Sequence, residues 1–445
     1  MIVFVLTVFL IQSGHKFKES EQIGGLENFS KSDLKTHYLQ NLLHNAKFKR
    51  LKEIASPSSE FINIGMTIIN NKKEDSLESS FEWKLTRNIK SMLTFSSGDP
   101  LHWIILTDHH SLKTVASFLS DLLFKYASEG VIMRRSWRWK RLRGMPKITI
   151  SFADCEEIVS LERSFFNAMK KNSQQGNSST GSYTEDLFYI APIYHKAFTN
   201  IDKIIFLDSK DLEFVSDIKL LHDQFKLMDK AMIGIGPDLT PHYYSFLKGY
   251  IDRNVNSSLG LPGKMQGFNT GVVLYNLDSM RKSALYNWYV TAEGVDYLMN
   301  KYGYKMFLAE QDWMSNLGFS HPTLFYNLPC NFNRQTSIDY LRPPWLDLFH
   351  QYHMCDKPTN IKIFHRNGCG PTPKCCGHIF PSKGSTLNDI NIDMEEFWDI
   401  FANPNRFQNR TLPSILANTL IINCADKSRE YCLNVINGIE SITDN

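Results

Sequence analysis

The stretch KIIFLDSKD at residues 203–211 decides the fold of this chain. A short apolar run ends abruptly in two carboxylates, Asp208 and Asp211. Such a run, too short for a helix, is typical of a strand buried in a parallel sheet. Ligands in open α/β folds bind beyond the carboxyl ends of the strands. The two carboxylates are therefore predicted to lie at a ligand-binding edge, although acidic residues that only end a strand and cap a helix fit the same pattern.

Similar apolar runs lie on both sides of this stretch and alternate with helix-like segments. The runs predicted as strands are 102–108 (HWIILTD), 147–152 (KITISF), 203–207, 231–235 and 271–275, and the predicted helices are 111–126, 185–199 and 217–228. This alternation predicts an α/β fold with an open, mostly parallel sheet and helices on both faces. Thr107 and Asp108, at the end of the first run, would then reach the same edge as Asp208.

The flanking segments predict the domain organisation. Residues 1–12 (MIVFVLTVFLIQ) are apolar but fall short of the roughly 20 residues of a membrane-spanning helix. Segment 1–18 is interpreted as a signal-anchor or a cleaved signal peptide, with a buried strand as the alternative. Residues 19–95 are polar and weakly periodic, which favours a stem or linker. The folded domain is expected at 96–380, followed by a helical C-terminal extension at 381–445.

Cysteines and glycosylation sequons favour the lumen of the endoplasmic reticulum or Golgi. Seven of the eight cysteines lie between residues 330 and 432, where disulfides would staple a loop-rich region. Zinc thiolates are the alternative, but no paired C-x2-C pattern occurs. Asn-x-Ser/Thr sequons stand at Asn28, Asn177, Asn256 and Asn409. The chain is thus expected to be a single-pass type II membrane protein or a secretory protein.

The charge of the chain indicates no nucleic-acid partner. Its formal net charge is +3 over 445 residues, which is close to neutral. One basic segment, RRSWRWKRLR at 134–143, combines six cations with two tryptophans. The segment could form a patch that binds anionic lipid or nucleic acid. The favoured interpretation is a solvent-exposed connection between two strands, in which arginines lie over the tryptophans.

Three further segments carry residues suited to a ligand site: 267–276 (GFNTGVVLYN), 310–316 (EQDWMSN) and 361–368 (IKIFHRNG). In the first, glycines on either side of an Asn-Thr pair allow a ligand to approach the backbone closely. In the third, a short strand delivers His365, a suitable ligand to complete a metal site begun by carboxylates. The alternatives are an ordinary buried strand, simple helix capping and a structural histidine.

In this order and at these distances, the four segments resemble glycosyltransferase family 8. DKIIFLD at 202–208 resembles the approach to the family's Asp-x-Asp motif, and GFNTGVVLYN resembles its sugar-pocket strand. EQDWMSN resembles its Asp-Gln helix, and HRNG its His-x-x-Gly motif. Finer detail at 106–111, 267–281, 321–335 and 361–373 is similar to the xyloside xylosyltransferase branch. The resemblance covers roughly residues 100–375.

The resemblance implies a GT-A-like fold and a role for each matching residue. The implied metal ligands for Mn²⁺ (or Mg²⁺) are Asp208, Asp211 and His365. The implied donor-binding residues are Thr107 and Asp108 near the nucleoside, Asn269 and Gly271 at the donor sugar, and Gly368. The implied catalytic residues are Gln311, facing the anomeric carbon, and Glu310, binding sugar hydroxyls.

The implied activity is a retaining, metal-dependent transfer of xylose from UDP-xylose. By the same resemblance, the acceptor would be a xylosyl-glucose O-linked to an epidermal-growth-factor-like repeat, extended through an α1,3 bond. Another family-8 transferase, such as a glucoside xylosyltransferase or a glucosyl- or galactosyltransferase, is the first alternative. The second is a catalytically silent homologue that binds a nucleotide sugar or glycan.

The chain departs from the family pattern at three places. The two aspartates are separated by two residues, Ser209 and Lys210, where the family has one. The family's Asp-Gln pair is replaced by Glu310 and Gln311. The Lys-Pro-Trp that often follows His-x-x-Gly is absent, which leaves the usual phosphate-binding lysine unassigned.

Overall fold

The computed structural model describes residues 46–69, 78–133, 146–173, 186–214, 216–335, 351–352, 362–365 and 367. Segment 1–18, the basic segment 134–143, Gly368 and the expected extension at 381–445 lie outside these residues. Within the described part of the chain, no helix combines the length and apolar character needed to cross a membrane.

The structure contains a seven-stranded sheet and a three-stranded sheet. The strands are β1 Ile62–Thr67, β2 Leu101–Thr107, β3 Ile148–Asp154, β4 Lys203–Leu207, β5 Leu212–Phe214, β6 Ile233–Pro237, β7 Phe268–Asn276, β8 Phe325–Asn327, β9 Arg334–Gln335 and β10 Ile363–His365. The large sheet has the order β3-β2-β1-β4-β7-β6-β8, and in it only β7 pairs antiparallel with its neighbours. The α/β fold with a mostly parallel sheet is therefore confirmed.

Helices cover both faces of this sheet. The α-helices are α1 Glu78–Phe95, α2 Leu112–Met133, α3 Cys155–Leu161, α4 Arg163–Lys171, α5 Tyr194–Ala197, α6 Ile218–His222, α7 His242–Phe246, α8 Lys248–Arg253, α9 Leu277–Lys282, α10 Ala284–Tyr289, α11 Ala292–Tyr302 and α12 Glu310–Ser320. Buried apolar side chains of α1, α2 and α6 form one core with the sheet, and those of α3–α5 and α9–α12 form the other. The predicted helix at 185–199 is instead a series of single turns that ends in α5.

The folded domain begins before residue 96, so the interpretation of residues 19–95 as a stem must be corrected. Strand β1 lies in the middle of the large sheet, between β2 and β4. A Cβ added to Gly65 of β1 would meet the Phe206 ring at 2.3 Å, which shows how closely β1 and β4 pack. Helix α1 adds buried leucine, isoleucine and methionine side chains to the core. The polar run NNKKEDS at 70–76 separates the two elements in the sequence and hides this pattern.

The small sheet brings a distant part of the chain to the end of β4. Its order is β5-β10-β9, with β10 antiparallel to β5 and parallel to β9. In this register His365 is paired with Leu212 and Gln335. Since β5 begins immediately after Asp211, the sheet sets the end of β10 beside the two aspartates.

Candidate functional site

The two predicted carboxylates lie in a turn that Asp208 itself closes. The Asp208 amide donates to the Gly271 carbonyl at 2.8 Å, which continues the pairing of β4 with β7 by one residue. The Asp208 Oδ1 atom then accepts from the amides of Lys210 at 2.8 Å and Asp211 at 3.3 Å. An aspartate that bonds the backbone two and three residues ahead stabilises a tight turn. The additional residue between the aspartates is thus accommodated by local turn geometry.

His365 faces Asp208 from β10. Its Nε2 atom lies 3.9 Å from Asp208 Oδ2, and its Nδ1 atom lies 3.0 Å from Asn333 Oδ1. Since an amide oxygen can only accept, this contact places the proton on Nδ1 and leaves Nε2 as the acceptor. A Cβ added to Gly271 would fall 2.2 Å from His365 Cε1. Gly271 therefore makes room for the imidazole, and its contact with donor sugar stays a prediction.

Asp211 is held by Lys84 of α1. The Lys84 ammonium lies 2.8 Å from Asp211 Oδ1. Burial and then the neighbouring Asp208 raise the pKa of the Asp211 carboxyl, while Lys84 and His365 oppose that shift. Burial lowers the pKa of His365, against the attraction of Asp208 and Asp211. Its imidazole is consequently neutral at pH 7, which is the form that binds metals.

The residues of the predicted metal site fit a divalent ion in part. No three His, Cys, Asp or Glu side chains among the described residues form a complete metal cage. Asp208 Oδ2 and His365 Nε2 nevertheless lie 3.9 Å apart, and these two side chains would hold the ion. Mg²⁺ and similar ions commonly use one or two carboxylates together with substrate phosphates. The site therefore fits an ion that a phosphate-bearing ligand helps to bind.

A second group of polar side chains lies around Asn269 and Thr270 of β7. The Asn333 side-chain amide donates to Asn269 Oδ1 at 3.0 Å, and that oxygen also accepts from the Gly271 amide at 3.1 Å. One residue along, the Thr270 amide donates to Gln311 Oε1 at 3.2 Å. The Gln311 amide donates in turn to Asp238 Oδ2, also at 3.2 Å. We call Asp208, Asp211 and His365 the carboxylate side of the site, and Asn269, Gln311 and Asp238 the amide side.

The start of α12 is fixed by buried Asp312. Its Oδ2 atom accepts from the amides of Phe307 at 2.6 Å and Leu308 at 2.8 Å, and its Oδ1 atom accepts from the Tyr243 hydroxyl at 2.8 Å. Between these contacts Ala309 has a φ of 52°, a conformation that non-glycine residues rarely adopt. Strain of this kind persists only where the surroundings enforce it. The local structure thus sets the direction in which Glu310 and Gln311 leave the turn.

Glu310 occupies the space between the two sides. Burial raises the pKa of its carboxyl to about 8, and the charges of Asp312 and Asp208 act in the same direction. A hydrogen bond from the Thr270 side chain opposes the shift. Glu310 is therefore mostly protonated at pH 7, so it can donate a hydrogen bond as well as accept one.

Thr107 and Asp108 stand apart from these contacts. Thr107 is the last residue of β2 and Asp108 follows it; β2 is separated from β4 by β1. The Thr107 hydroxyl is buried and forms no hydrogen bond with the residues that the structure describes. Asp108 Oδ1 accepts from the Ser111 amide at 2.6 Å, just before α2. The structure thus brings seven predicted residues together around β7 and leaves these two at the same edge of the sheet, at a distance.

Four residues of the site were not predicted: Lys84, Asp238, Asn333 and Asp312. Asp238 follows the strand IGIGP directly, so the rule that located Asp208 could also have located it. Asp312 lies in a quoted motif but received no role. Asn333 and Lys84 carry no local signal, because their positions depend on the pairing of β9 with β10 and on the packing of α1.

Comparisons with known proteins indicate the family of the chain. A family model described as Glycosyl transferase family 8 matches residues 126–372, more than half of the 445 residues. Xyloside xylosyltransferase 1 of Mus musculus is 30% identical over 232 residues, which are 51% of this chain and 58% of the mouse protein. Xylosyl- and glucuronyltransferase LARGE2s of Danio rerio is 29% identical over 251 residues, 56% of this chain and 27% of that protein. The chain spans less than two thirds of the length of either relative.

A solved structure is similar over most of the described fold. The crystal structure of mouse Xyloside xylosyltransferase 1 in its apo form matches with a TM-score of 0.58 and 24% identity. The match covers 70% of this chain and 99% of the mouse chain in that crystal structure. This likeness confirms the GT-A-like fold.

Proposed function

The chain belongs to glycosyl transferase family 8, and we propose that it is a retaining, metal-dependent transferase acting on a nucleoside diphosphate sugar. One observation carries this proposal. A continuous set of contacts leads from Asp208 through His365, Asn333 and Asn269 to the Thr270–Gln311 pair. The contacts bring a carboxylate and an imidazole to one end of β7 and a hydrogen-bonded amide a few residues away, which supports a cation site beside a sugar site. A nucleotide sugar has matching parts, a diphosphate and a sugar carbon adjacent to it.

On the carboxylate side, Asp208 and His365 would hold a divalent ion, with Asp211 beside them. When bound, such an ion supplies positive charge to the diphosphate as it leaves the sugar. Asn333 holds the histidine nitrogen that faces away from Asp208, and Gly271 leaves the space for its ring. A ligand oriented by a neighbouring hydrogen bond is the usual arrangement around metal-binding histidines.

On the amide side, Gln311 is too constrained to act as a nucleophile and is suited to charge stabilisation. Its oxygen accepts from Thr270 and its nitrogen donates to Asp238, so both ends of the amide are fixed. We propose attack of the acceptor hydroxyl on the face that the diphosphate leaves. The carbon–phosphate-oxygen bond breaks, the bond to the acceptor oxygen forms, and the acceptor proton passes to the leaving diphosphate. A preorganised dipole beside developing positive charge lowers the barrier.

For the finer identity of the substrates, we propose UDP-xylose as the donor and a xylosyl-glucose on an epidermal-growth-factor-like repeat as the acceptor. The motifs shared with the xyloside xylosyltransferase branch and the 30% identity to the mouse enzyme support this choice. An acceptor of that kind is found on proteins in transit through the secretory pathway. We therefore also propose a lumenal location, with the 1–18 segment as anchor or cleaved signal.

The test is nucleotide release from a panel of UDP-sugars, with Mn²⁺ and with chelator. Wild type is compared with Asp208→Asn and His365→Ala, and with the surface variant Asp223→Asn as control. We expect manganese-dependent turnover of UDP-xylose that both site variants lose and the control keeps. Turnover of another UDP-sugar would retain the mechanism and replace the donor. Turnover that persists in chelator would overturn metal dependence.

A silent homologue is the second candidate, and one observation favours it. The Asp211 carboxylate is bound by the Lys84 ammonium at 2.8 Å, so one of the two predicted carboxylate ligands is already paired. UDP binding without turnover, even after addition of a xylosyl-glucoside acceptor, would favour this candidate. Turnover with the acceptor present would exclude it.

A further inference from the structure

Helix α1 presents a row of polar side chains to the site. Lys84, Asn88 and Ser91 are spaced four and three residues apart, so they lie along one side of the helix. The side that packs into the core carries four buried apolar residues, Leu85, Ile89, Met92 and Leu93. An amphipathic helix with its polar row directed at a functional turn, and not only at solvent, indicates a specific contact.

Each residue of this row holds a different part of the segment that runs from Asp208 to the end of β5. The Asn88 side chain donates to the Asp208 carbonyl at 2.8 Å, and Ser91 Oγ accepts from the Phe214 amide at 2.9 Å. Lys84 Nζ lies 2.8 Å from Asp211 Oδ1. The first two contacts fix the backbone at the start of the turn and at the end of β5. Lys84 therefore reaches Asp211 in a set position and not as a freely moving surface chain; only a fifth of its side chain is exposed.

Because of the charges in the site, the position of Lys84 affects the binding of a metal ion and of a diphosphate. Asp208 and Asp211 contribute two carboxylates, and Lys84 contributes one ammonium that lies 2.8 Å from Asp211 Oδ1. A divalent ion that arrives alone is attracted by the carboxylates but repelled by the ammonium held against one of them. An ion that arrives with a nucleoside diphosphate brings about two negative charges of its own, so the same ammonium then becomes attractive.

We propose that Lys84 is a positioning residue that couples metal binding to diphosphate binding. By holding Asp211, it weakens binding of the metal alone and strengthens binding of the diphosphate once the metal is present. The inference rests on the proposed function, since it requires a donor with a diphosphate and a divalent ion. A residue that disfavours one ligand alone and favours both together makes their binding cooperative, and that coupling is reciprocal.

The test uses the full chain and two binding measurements without turnover. Mn²⁺ binding is followed from the electron paramagnetic resonance signal of free Mn²⁺ in the absence of nucleotide. UDP binding is followed by isothermal titration calorimetry at saturating Mn²⁺. For Lys84→Met we expect Mn²⁺ to bind about 10-fold more tightly and UDP about 10-fold more weakly. Lys84→Arg retains the charge and should stay within about threefold of wild type in both measurements.

A purely structural role of Lys84 gives a different result. Loss of the turn geometry would weaken both ligands together, and an idle surface lysine would change neither. Either outcome would overturn the proposal, as would a Lys84→Arg variant that behaves like Lys84→Met. The matched control is Lys196→Met, which breaks a similarly exposed ion pair with Glu162 away from the site and should change neither constant.

The same binding data distinguish failure of the proposed function from failure of the role proposed for Lys84. If wild-type protein binds UDP equally well with Mn²⁺ and with chelator, the proposed metal dependence is wrong, and the proposed coupling through Lys84 is wrong as well. If wild type requires Mn²⁺ for UDP binding but Lys84→Met matches it in both constants, only the role of Lys84 is wrong.

Discussion

The amide side of the site is buried and hydrogen-bonded, whereas the carboxylate side is charged and partly open. Gln311 is 7% exposed and Asp238 is 2% exposed, while the Asp208 side chain is 36% exposed. Side chains on the amide side have their partners in place before any ligand arrives. Those on the carboxylate side include an aspartate held by a lysine and a histidine nitrogen directed at another aspartate. Under the proposed function, the amide side is preorganised for the sugar and the carboxylate side is completed by the ligand.

The largest effect is expected for Gln311→Ala on the amide side. Removing a preorganised amide near developing charge costs roughly 10²–10³ in kcat. Because the carboxylate side is untouched, the affinity for Mn²⁺ should stay unchanged, and both quantities are measured by nucleotide release over a Mn²⁺ titration. Gln224→Ala, at a half-buried glutamine on the rim of the large sheet, is the control. An equal loss of Mn²⁺ affinity in Gln311→Ala would show that the two sides are not independent.

Gly271→Ala should damage the carboxylate side by about 100-fold in kcat/KM. The new methyl group would lie 2.2 Å from His365 Cε1, so the imidazole must move from its position opposite Asp208. The Mn²⁺ concentration needed for half-maximal rate should rise at the same time. Gly249→Ala, where the nearest atom is 3.7 Å away at the end of an arginine side chain, should remain active. Normal Mn²⁺ dependence in Gly271→Ala would argue against His365 as a ligand.

Asp312→Asn tests whether the order of the amide side depends on a buried acceptor. An asparagine cannot accept from two backbone amides and the Tyr243 hydroxyl at once, so one buried donor loses its partner. The expected loss is about 1–3 kcal/mol in the free energy of unfolding, measured by urea denaturation. Asp296→Asn, whose carboxylate accepts from Lys171 and Asn172 near the surface, should cost less. Equal losses in the two variants would contradict a special role for Asp312.

The smallest effect concerns Glu310, which lies between the two sides. Its pKa in the folded protein is raised from 4.5 to about 8, so the folded state retains a proton that the unfolded chain has released. This contribution to stability is complete below the unfolded pKa and is lost as pH rises through about 8. The free energy of unfolding should fall by about 1 kcal/mol between pH 7 and pH 8 because of this group. Glu310→Gln should remove that part of the pH dependence, and an unchanged slope would refute the shifted pKa.

Local sequence patterns were sufficient where a residue's neighbours in the chain determine its environment. The apolar run 203–207 ending in Asp208 predicted a buried strand with carboxylates at its end, and β4 and its turn have that form. The alternation of short runs with helices predicted the mostly parallel sheet. Asn269, Gly271, Gln311 and His365 were selected by motif, and the structure places them around one end of β7.

Tertiary structure alone decided which distant residues complete these motifs. Strand β1 and helix α1 were assigned to a stem because the charged run between them obscures a short strand and an amphipathic helix. Lys84 meets Asp211 across 127 positions of sequence, and Asn333 meets His365 across 32. Such contacts follow from packing of apolar faces and from strand register, which carry no signature at the polar residues themselves. The sequence by itself determined a family-8 fold with a carboxylate-ended strand, whereas the folded chain decided that a lysine holds one of those carboxylates.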